Sequence, residues 1–129
     1  MRTASENAKI IYPELSYQIM KHVFEVHNQL GPGFSENIYE EALAYEFGMN
    51  GIEFERQKSI QLSYKGRIVG SYRLDIVVDQ KIILELKAVT ALNELFKAQL
   101  LSYLKATGLR LGILINFGSL KVETDRIVG

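Results

Sequence analysis

Residues 72–87 read Tyr-Arg-Leu-Asp-Ile-Val-Val-Asp-Gln-Lys-Ile-Ile-Leu-Glu-Leu-Lys. The stretch has the form of two strands around a short turn. In the first strand, Tyr72, Leu74, Ile76 and Val78 alternate with Arg73, Asp75 and Val77. In the second, Ile82, Leu84, Leu86 and Ala88 point to one face, and Ile83, Glu85 and Lys87 to the other, because strand side chains have period two. A carboxylate and an ammonium therefore share one face of an otherwise apolar strand, and Asp75 sits amid apolar neighbours in the strand before it. Half-buried charges are costly unless paired or bound to a metal.

Turn length decides whether the two acids meet. A two-residue turn at Asp79-Gln80 would pair Val78 with Lys81 and set Asp75 opposite Leu84. A three-residue loop, 79–81, pairs Val78 with Ile82 and Asp75 with Glu85. We expect the odd-length loop, or a bulge of the same effect, which makes the carboxylates neighbours with Lys87 one step along. Adjacent carboxylates repel and suit a hard divalent cation such as Mg²⁺, which binds few protein carboxylates and keeps several waters. Such an ion polarises a phosphodiester and acidifies a water, and a neighbouring lysine stabilises developing charge. From spacing alone, an Asp–Lys or Glu–Lys ion pair on a solvated sheet face is the simpler account.

Outward from this hairpin the periodicity changes. Toward the N-terminus, Leu15, Ile19, Val23, Val26 and Leu30 recur at helical spacing. Gly31-Pro32-Gly33 stops that helix. Ser35 is a suitable N-cap for a second helix bearing Tyr39, Leu43 and Phe47 on its apolar face and ending near Asn50-Gly51. Residues 59–64 alternate as a strand, Lys65-Gly66 reads as a turn, and a strand restarts at Arg67 with a bulge expected at Gly70. Toward the C-terminus, residues 92–106 read as a helix closed by Thr107-Gly108. Residues 111–116 read as a strand buried on both faces, and residues 120–127 as an edge strand. The order is ααβββαββ, an α/β architecture built on a mixed sheet.

At 129 residues the chain is expected to form a single domain, 1–129, with residues 1–12 as an N-terminal arm. A hydrophobic fraction of 47% against 23% charged excludes disorder over most of its length. Cysteine is absent, which excludes disulfides, thiolate metal sites and a cysteine nucleophile. No apolar run approaches the roughly 20 residues that span a bilayer, and the first residues lack the apolar core of a secretory signal. The expectation is a cytoplasmic protein without membrane contact. Charge balances overall but not locally. Residues 1–55 hold three basic and nine acidic side chains, and residues 56–129 hold twelve basic and six acidic ones. The C-terminal half could present a basic face, or the halves could neutralise each other.

Several familiar chemistries are missing. His22 and His27 are five apart, not the four of a helical zinc pair, and no Walker A pattern occurs. Gly31-x-Gly33 follows a helix rather than a strand, so it is no dinucleotide loop. Lys97, Lys105 and Arg110 could touch a phosphate backbone, though a solvated face is the default for each.

Asp75 followed by Glu85-Leu86-Lys87 at the end of a hydrophobic strand resembles the core of the PD-(D/E)xK nuclease superfamily, with Leu74 in place of the loosely kept proline. Gly33-Phe34-Ser35-Glu36-Asn37-Ile38-Tyr39 is similar to the signature of the GxxExxY family within it. Gln99 and Tyr103, four apart on one helix face, resemble the Gln-x-x-x-Tyr element of RecB-like nucleases. The resemblance runs from about Leu15 to the C-terminus. It implies a restriction-endonuclease-like fold, a mixed central sheet flanked by helices, with one extra helix in front. It implies Asp75, Glu85 and Glu36 as ligands of Mg²⁺ or Mn²⁺, Lys87 as the catalytic lysine, and Gln99 as an orienting group beside the site. Arg73, Tyr103 and Tyr39 follow as candidate substrate contacts. Glu36 also suits the first turn of a helix on macrodipole grounds alone. Gln99 and Tyr103 also suit a buried network tying helix to sheet.

The function implied is a Mg²⁺-dependent nuclease acting on nucleic acid, with DNA the expected substrate, and a homodimer would present two sites to two strands. The alternative is a noncatalytic module that binds nucleic acid or protein on the same fold, since the chain leaves little room for a substrate-recognition domain.

Overall fold

The computed structural model describes residues 11–129, and most of the expected N-terminal arm lies outside them. Of its last two residues, Ile11 is buried in the core, and Tyr12, in left-handed geometry, caps the first helix. Helix α1 spans Pro13–Leu30, with proline in its first turn where a missing N–H costs nothing. Helix α2 spans Glu36–Met49 after Ser35, which takes the N-cap position but turns its hydroxyl to Asn37 instead of the helix backbone.

Strands β1 (Phe54–Tyr64), β2 (Arg67–Val78) and β3 (Ile82–Lys87) follow, then helix α3 (Glu94–Thr107) and strands β4 (Leu111–Asn116) and β5 (Glu123–Val128). The element order is the expected ααβββαββ. The strands form one sheet in the order β1-β2-β3-β4-β5. The β3–β4 pair is parallel, bridged by α3, and the other three pairs are antiparallel. No described helix is long and apolar enough to cross a membrane.

Each face of the sheet carries its own apolar layer. Ile19, Val23, Val26, Leu43 and Phe47 of α1 and α2 pack on Ile76, Val78, Leu84, Leu86, Ile113 and Ile115. Leu100 and Leu104 of α3 pack on Leu74, Val77, Ile83 and Leu114. β3 and β4 are sandwiched between the layers, which is why both are near-continuous apolar runs.

Four local expectations are corrected. β1 starts at Phe54, not Ser59, because its first half is polar and largely exposed and so carries no hydrophobic period. The extra residue near the tip of β2 is Val69, not Gly70: Leu62 pairs with Gly70 and Ser63 with Ile68. β5 starts at Glu123, leaving Leu120 in an exposed turn.

The fourth concerns β2, whose alternation breaks at Asp75. Ile76 and Val78 join the layer of α1 and α2, whereas Leu74 joins that of α3. The break lies opposite Gln57, which stands between the pairs Arg56–Ile76 and Lys58–Leu74 with a left-handed φ of 51°. It leaves Asp75 at the point where the strand changes sides.

Candidate active site

The β2–β3 turn has the expected parity. Val78 pairs with Ile82, Val77 with Ile83 and Ile76 with Leu84. The Lys81 N–H donates to the Val78 carbonyl at 2.9 Å, and Asp79 and Gln80 between them both take positive φ. That turn twists in the same sense as the strands it joins, and Lys81 supplies the odd residue.

Beyond Ile76–Leu84 the side-chain carboxylates take over from the backbone ladder. The Leu86 N–H donates to Asp75 Oδ2 at 2.8 Å, and the Asp75 N–H points to Glu85 Oε1 at 3.4 Å. The two acids thus bridge the strands where they part, each near the other's backbone.

Both carboxyls are pushed upward. Burial raises Glu85, only 3% exposed, to about 8, and the charge of Asp75 adds to this. The Asp75 N–H and Lys87 pull the other way. Burial raises Asp75 to about 6, with Glu40 and then Glu36 adding negative potential against the Leu86 N–H and Lys87. Two desolvated carboxylates that resist ionising together form an all-oxygen donor pair whose strain a hard cation would relieve. The donor set fits a Mg²⁺-type ion, which takes one or two carboxylates and completes its shell with water and phosphate oxygens. Among the described residues, no three His, Asp or Glu side chains gather closely enough to hold a metal ion. Glu36 is exposed at the start of α2, and only its charge is felt at Asp75.

Lys87, half-buried, adds a positive charge that both carboxyls feel. Its Nζ rests 4.5 Å from the centroid of the Phe96 ring, a cation–π contact that holds the ammonium on the α3 side. Tyr103 stacks on Tyr72 with ring centroids 4.3 Å apart. The Tyr72 hydroxyl, pushed well above its usual range by burial and then by Glu85, points to Glu85 Oε2 at 3.4 Å. Gln99 lies on the same α3 stripe between Phe96 and Tyr103, exposed and without a side-chain hydrogen bond among the described residues. Arg73 is exposed and forms no ion pair among the described residues.

One candidate contact is corrected. Tyr39 is fully buried, stacks on Phe117 at 4.6 Å, donates to the Gly31 carbonyl at 2.6 Å and accepts the Phe34 N–H at 3.2 Å. Its hydroxyl fastens the α1–α2 loop, so no substrate can reach it.

Three features escaped the sequence analysis. Glu40, buried in α2, weighs on Asp75 more than Glu36 does. Both its oxygens are occupied, one by Arg56 Nε and Nη2 at 3.0 and 2.8 Å, the other by Gln57 Nε2 at 2.7 Å. The i, i+4 spacing from Glu36 was the signal for it. Tyr72 was hidden by the alternation that breaks at Asp75.

Asn116, at the end of β4, is the third. Its amide is fully buried and clamps the loop that follows Lys87. Its Oδ1 accepts from the N–H groups of Val89 and Gly118 at 3.0 and 2.9 Å, and its Nδ2 donates to the Val89 carbonyl and to Glu123 at 3.0 and 2.8 Å. Gly118 belongs to this clamp, because a Cβ there would lie 2.5 Å from the Val89 backbone.

Comparison with known proteins adds two likenesses. The model of one family, the PD-(D/E)XK nuclease superfamily, matches residues 13–127. A solved structure described as the crystal structure of SSO0001 superposes with a TM-score of 0.53 at 18% identity. The match covers 96% of this chain and 62% of that one, so the likeness is one of fold with part of a longer chain. No curated protein matches the sequence significantly.

Proposed function

The chain belongs to the PD-(D/E)XK nuclease superfamily, and from that premise we propose that it is a nuclease that hydrolyses DNA with Mg²⁺ or Mn²⁺. Its fold is restriction-endonuclease-like, a mixed five-stranded sheet flanked by helices. The observation that carries the proposal is the meeting of Asp75 and Glu85 at the parting of β2 and β3, with Lys87 beside them. We also read residues 33–39 as the GxxExxY signature of this family's smaller members.

Asp75 and Glu85 are the residues that would hold the cation. When bound, it supplies positive charge to the scissile phosphate and acidifies a water. Lys87, steadied by Phe96, offsets the negative charge that builds on phosphorus-bound oxygens as water adds and the bond to the leaving strand breaks. The attacking water gives up a proton to solvent and the leaving oxygen takes one up, so the hydrolysis balances. The Tyr72 hydroxyl stays protonated and orients Glu85. Gln99, exposed between Phe96 and Tyr103, is the group best placed on α3 to meet a phosphate oxygen. Glu36 and Glu40 add the negative field that favours a cation at Asp75.

The test is cleavage of single-stranded, duplex and branched DNA by purified protein with Mg²⁺ or Mn²⁺. We expect metal-dependent cutting that Asp75→Ala and Lys87→Ala each reduce by on the order of 100-fold or more. Cutting that ignores both substitutions would refute the assignment. Metal-independent, salt-sensitive DNA binding without cutting would instead favour a noncatalytic binding module on the same fold.

A further inference from the structure

We infer that the ribbon formed by the outer halves of β1 and β2 is a DNA-gripping arm, which lies along duplex DNA beside the scissile phosphate. This inference rests on the nuclease reading for its orientation but not for its test. β3 pairs only with residues 76–78 of β2, so among the described residues β1 and β2 pair with each other alone from Lys58 and Leu74 outward. Ile60 and Tyr72 anchor the base of this ribbon under α3, and the tip projects beyond the sheet.

Its chemistry is lopsided in two ways. Between Glu55 and Asp75 the chain holds five basic residues and no acidic one. Arg56 is consumed by Glu40 and Glu41, and Lys58 faces Glu55. Lys65, Arg67 and Arg73 form no ion pair among the described residues. Around the turn at Lys65-Gly66, large apolar side chains also stand in solvent: Tyr64, Ile68 and Val69 are each more than 60% exposed. Val69 is the unpaired bulge residue, and Lys65 lies over the Tyr64 ring. Cations interleaved with exposed aromatic and β-branched side chains on a two-stranded ribbon match a DNA groove: the ribbon fits the major groove, cations meet the phosphates, and apolar side chains meet bases and sugars.

Geometry ties the arm to the site. The ribbon grows out of the strand that bears Asp75. Arg67 lies eight positions before Asp75, about 26 Å at roughly 3.3 Å per residue. At one phosphate per about 3.4 Å along a strand, the tip would meet the backbone some seven or eight nucleotides from the cut. The arm supplies duplex recognition from within the sheet that bears Asp75.

The test is equilibrium binding of the full chain to a 30-base-pair DNA duplex in EDTA across a salt series, read by fluorescence anisotropy. Lys65→Glu with Arg67→Glu should weaken binding about tenfold or more and lower the slope of log affinity against log salt by about two. Tyr64→Ala should weaken it several-fold with the slope unchanged. Lys65→Gln with Arg67→Gln, which introduces no negative charge, should show the same slope loss. Thermal melts check that each variant is folded.

Affinity and slope equal to wild type in the folded charge variants would overturn the inference, as would failure of the wild type to bind DNA or binding to RNA alone. The nuclease reading fails separately: ribbon-dependent binding without metal-dependent cutting removes the catalysis and leaves the arm. Cutting with ribbon-independent binding removes the arm and leaves the catalysis.

Discussion

At the scale of residues, the site is defined by what two carboxyls cannot do together. Glu85 is held neutral up to about pH 8 and Asp75 up to about pH 6, burial being the larger cause in each. In the unfolded chain both would ionise near pH 4. The folded state therefore binds more protons between those values, and folding stability falls as pH rises. Through these two groups the metal-free protein should lose stability steadily above about pH 4 and lose several degrees of Tm between pH 5 and pH 8. Glu85→Gln, which keeps the shape without the charge, should flatten that decline and raise Tm at pH 8. Mg²⁺ should raise the Tm of the wild type at pH 8 and leave Glu85→Gln nearly unchanged. Differential scanning calorimetry over this range, with and without metal, checks all three. A wild-type Tm that climbs from pH 5 to 8 without metal would contradict the electrostatics described for the pair.

At the scale of elements, two junctions position the site. One is the β2–β3 turn, whose odd residue Lys81 sets the parity that brings Asp75 to Glu85. The other is the loop after β3, clamped by Asn116 and passing so close to Gly118 that a methyl group has no room. The Phe117 N–H also donates to the Lys87 carbonyl at 2.9 Å, which ties the lysine's own backbone to that turn. Asn116→Ala strips four hydrogen bonds from buried or half-buried partners and should cost about 2–3 kcal/mol, since the groups left behind lose both protein and water. Urea denaturation reads that loss. Catalysis at a temperature where the variant is folded should fall further than Asn116, with no substrate contact, would suggest, because the loop that follows Lys87 loses its anchor. The parity of the turn was legible beforehand, since turn length and face are linked by counting. The clamp was not: a lone asparagine at a strand end has no local signature, and its three partner residues come from two separate loops and the start of β5.

At the scale of the whole molecule, one sheet separates two apolar layers of unequal size, and among the described helices α3 alone closes the smaller. Leu100 is fully buried there against the sheet, and an added Cβ at Gly112 would strike it. Leu100→Ala should cost about 2–5 kcal/mol. Because the two layers share β3 and β4, far-UV circular dichroism and tyrosine fluorescence should still report one transition. Separate midpoints would mean that α3 unfolds on its own.

The sequence by itself determined the order of elements and the loop parity at residues 79–81. These depend on periodicity and counting over a few residues, which local backbone geometry enforces. Only the tertiary structure decided that Phe54 and the polar residues 55–58 complete β1, that Glu40 outweighs Glu36 at Asp75, that Tyr39 is sealed inside, and that β2 changes sides at Asp75. Each of those outcomes depends on which distant surface arrives to bury, pair or shield a side chain, and desolvation by a partner far along the chain leaves no periodic trace near the residue it acts on.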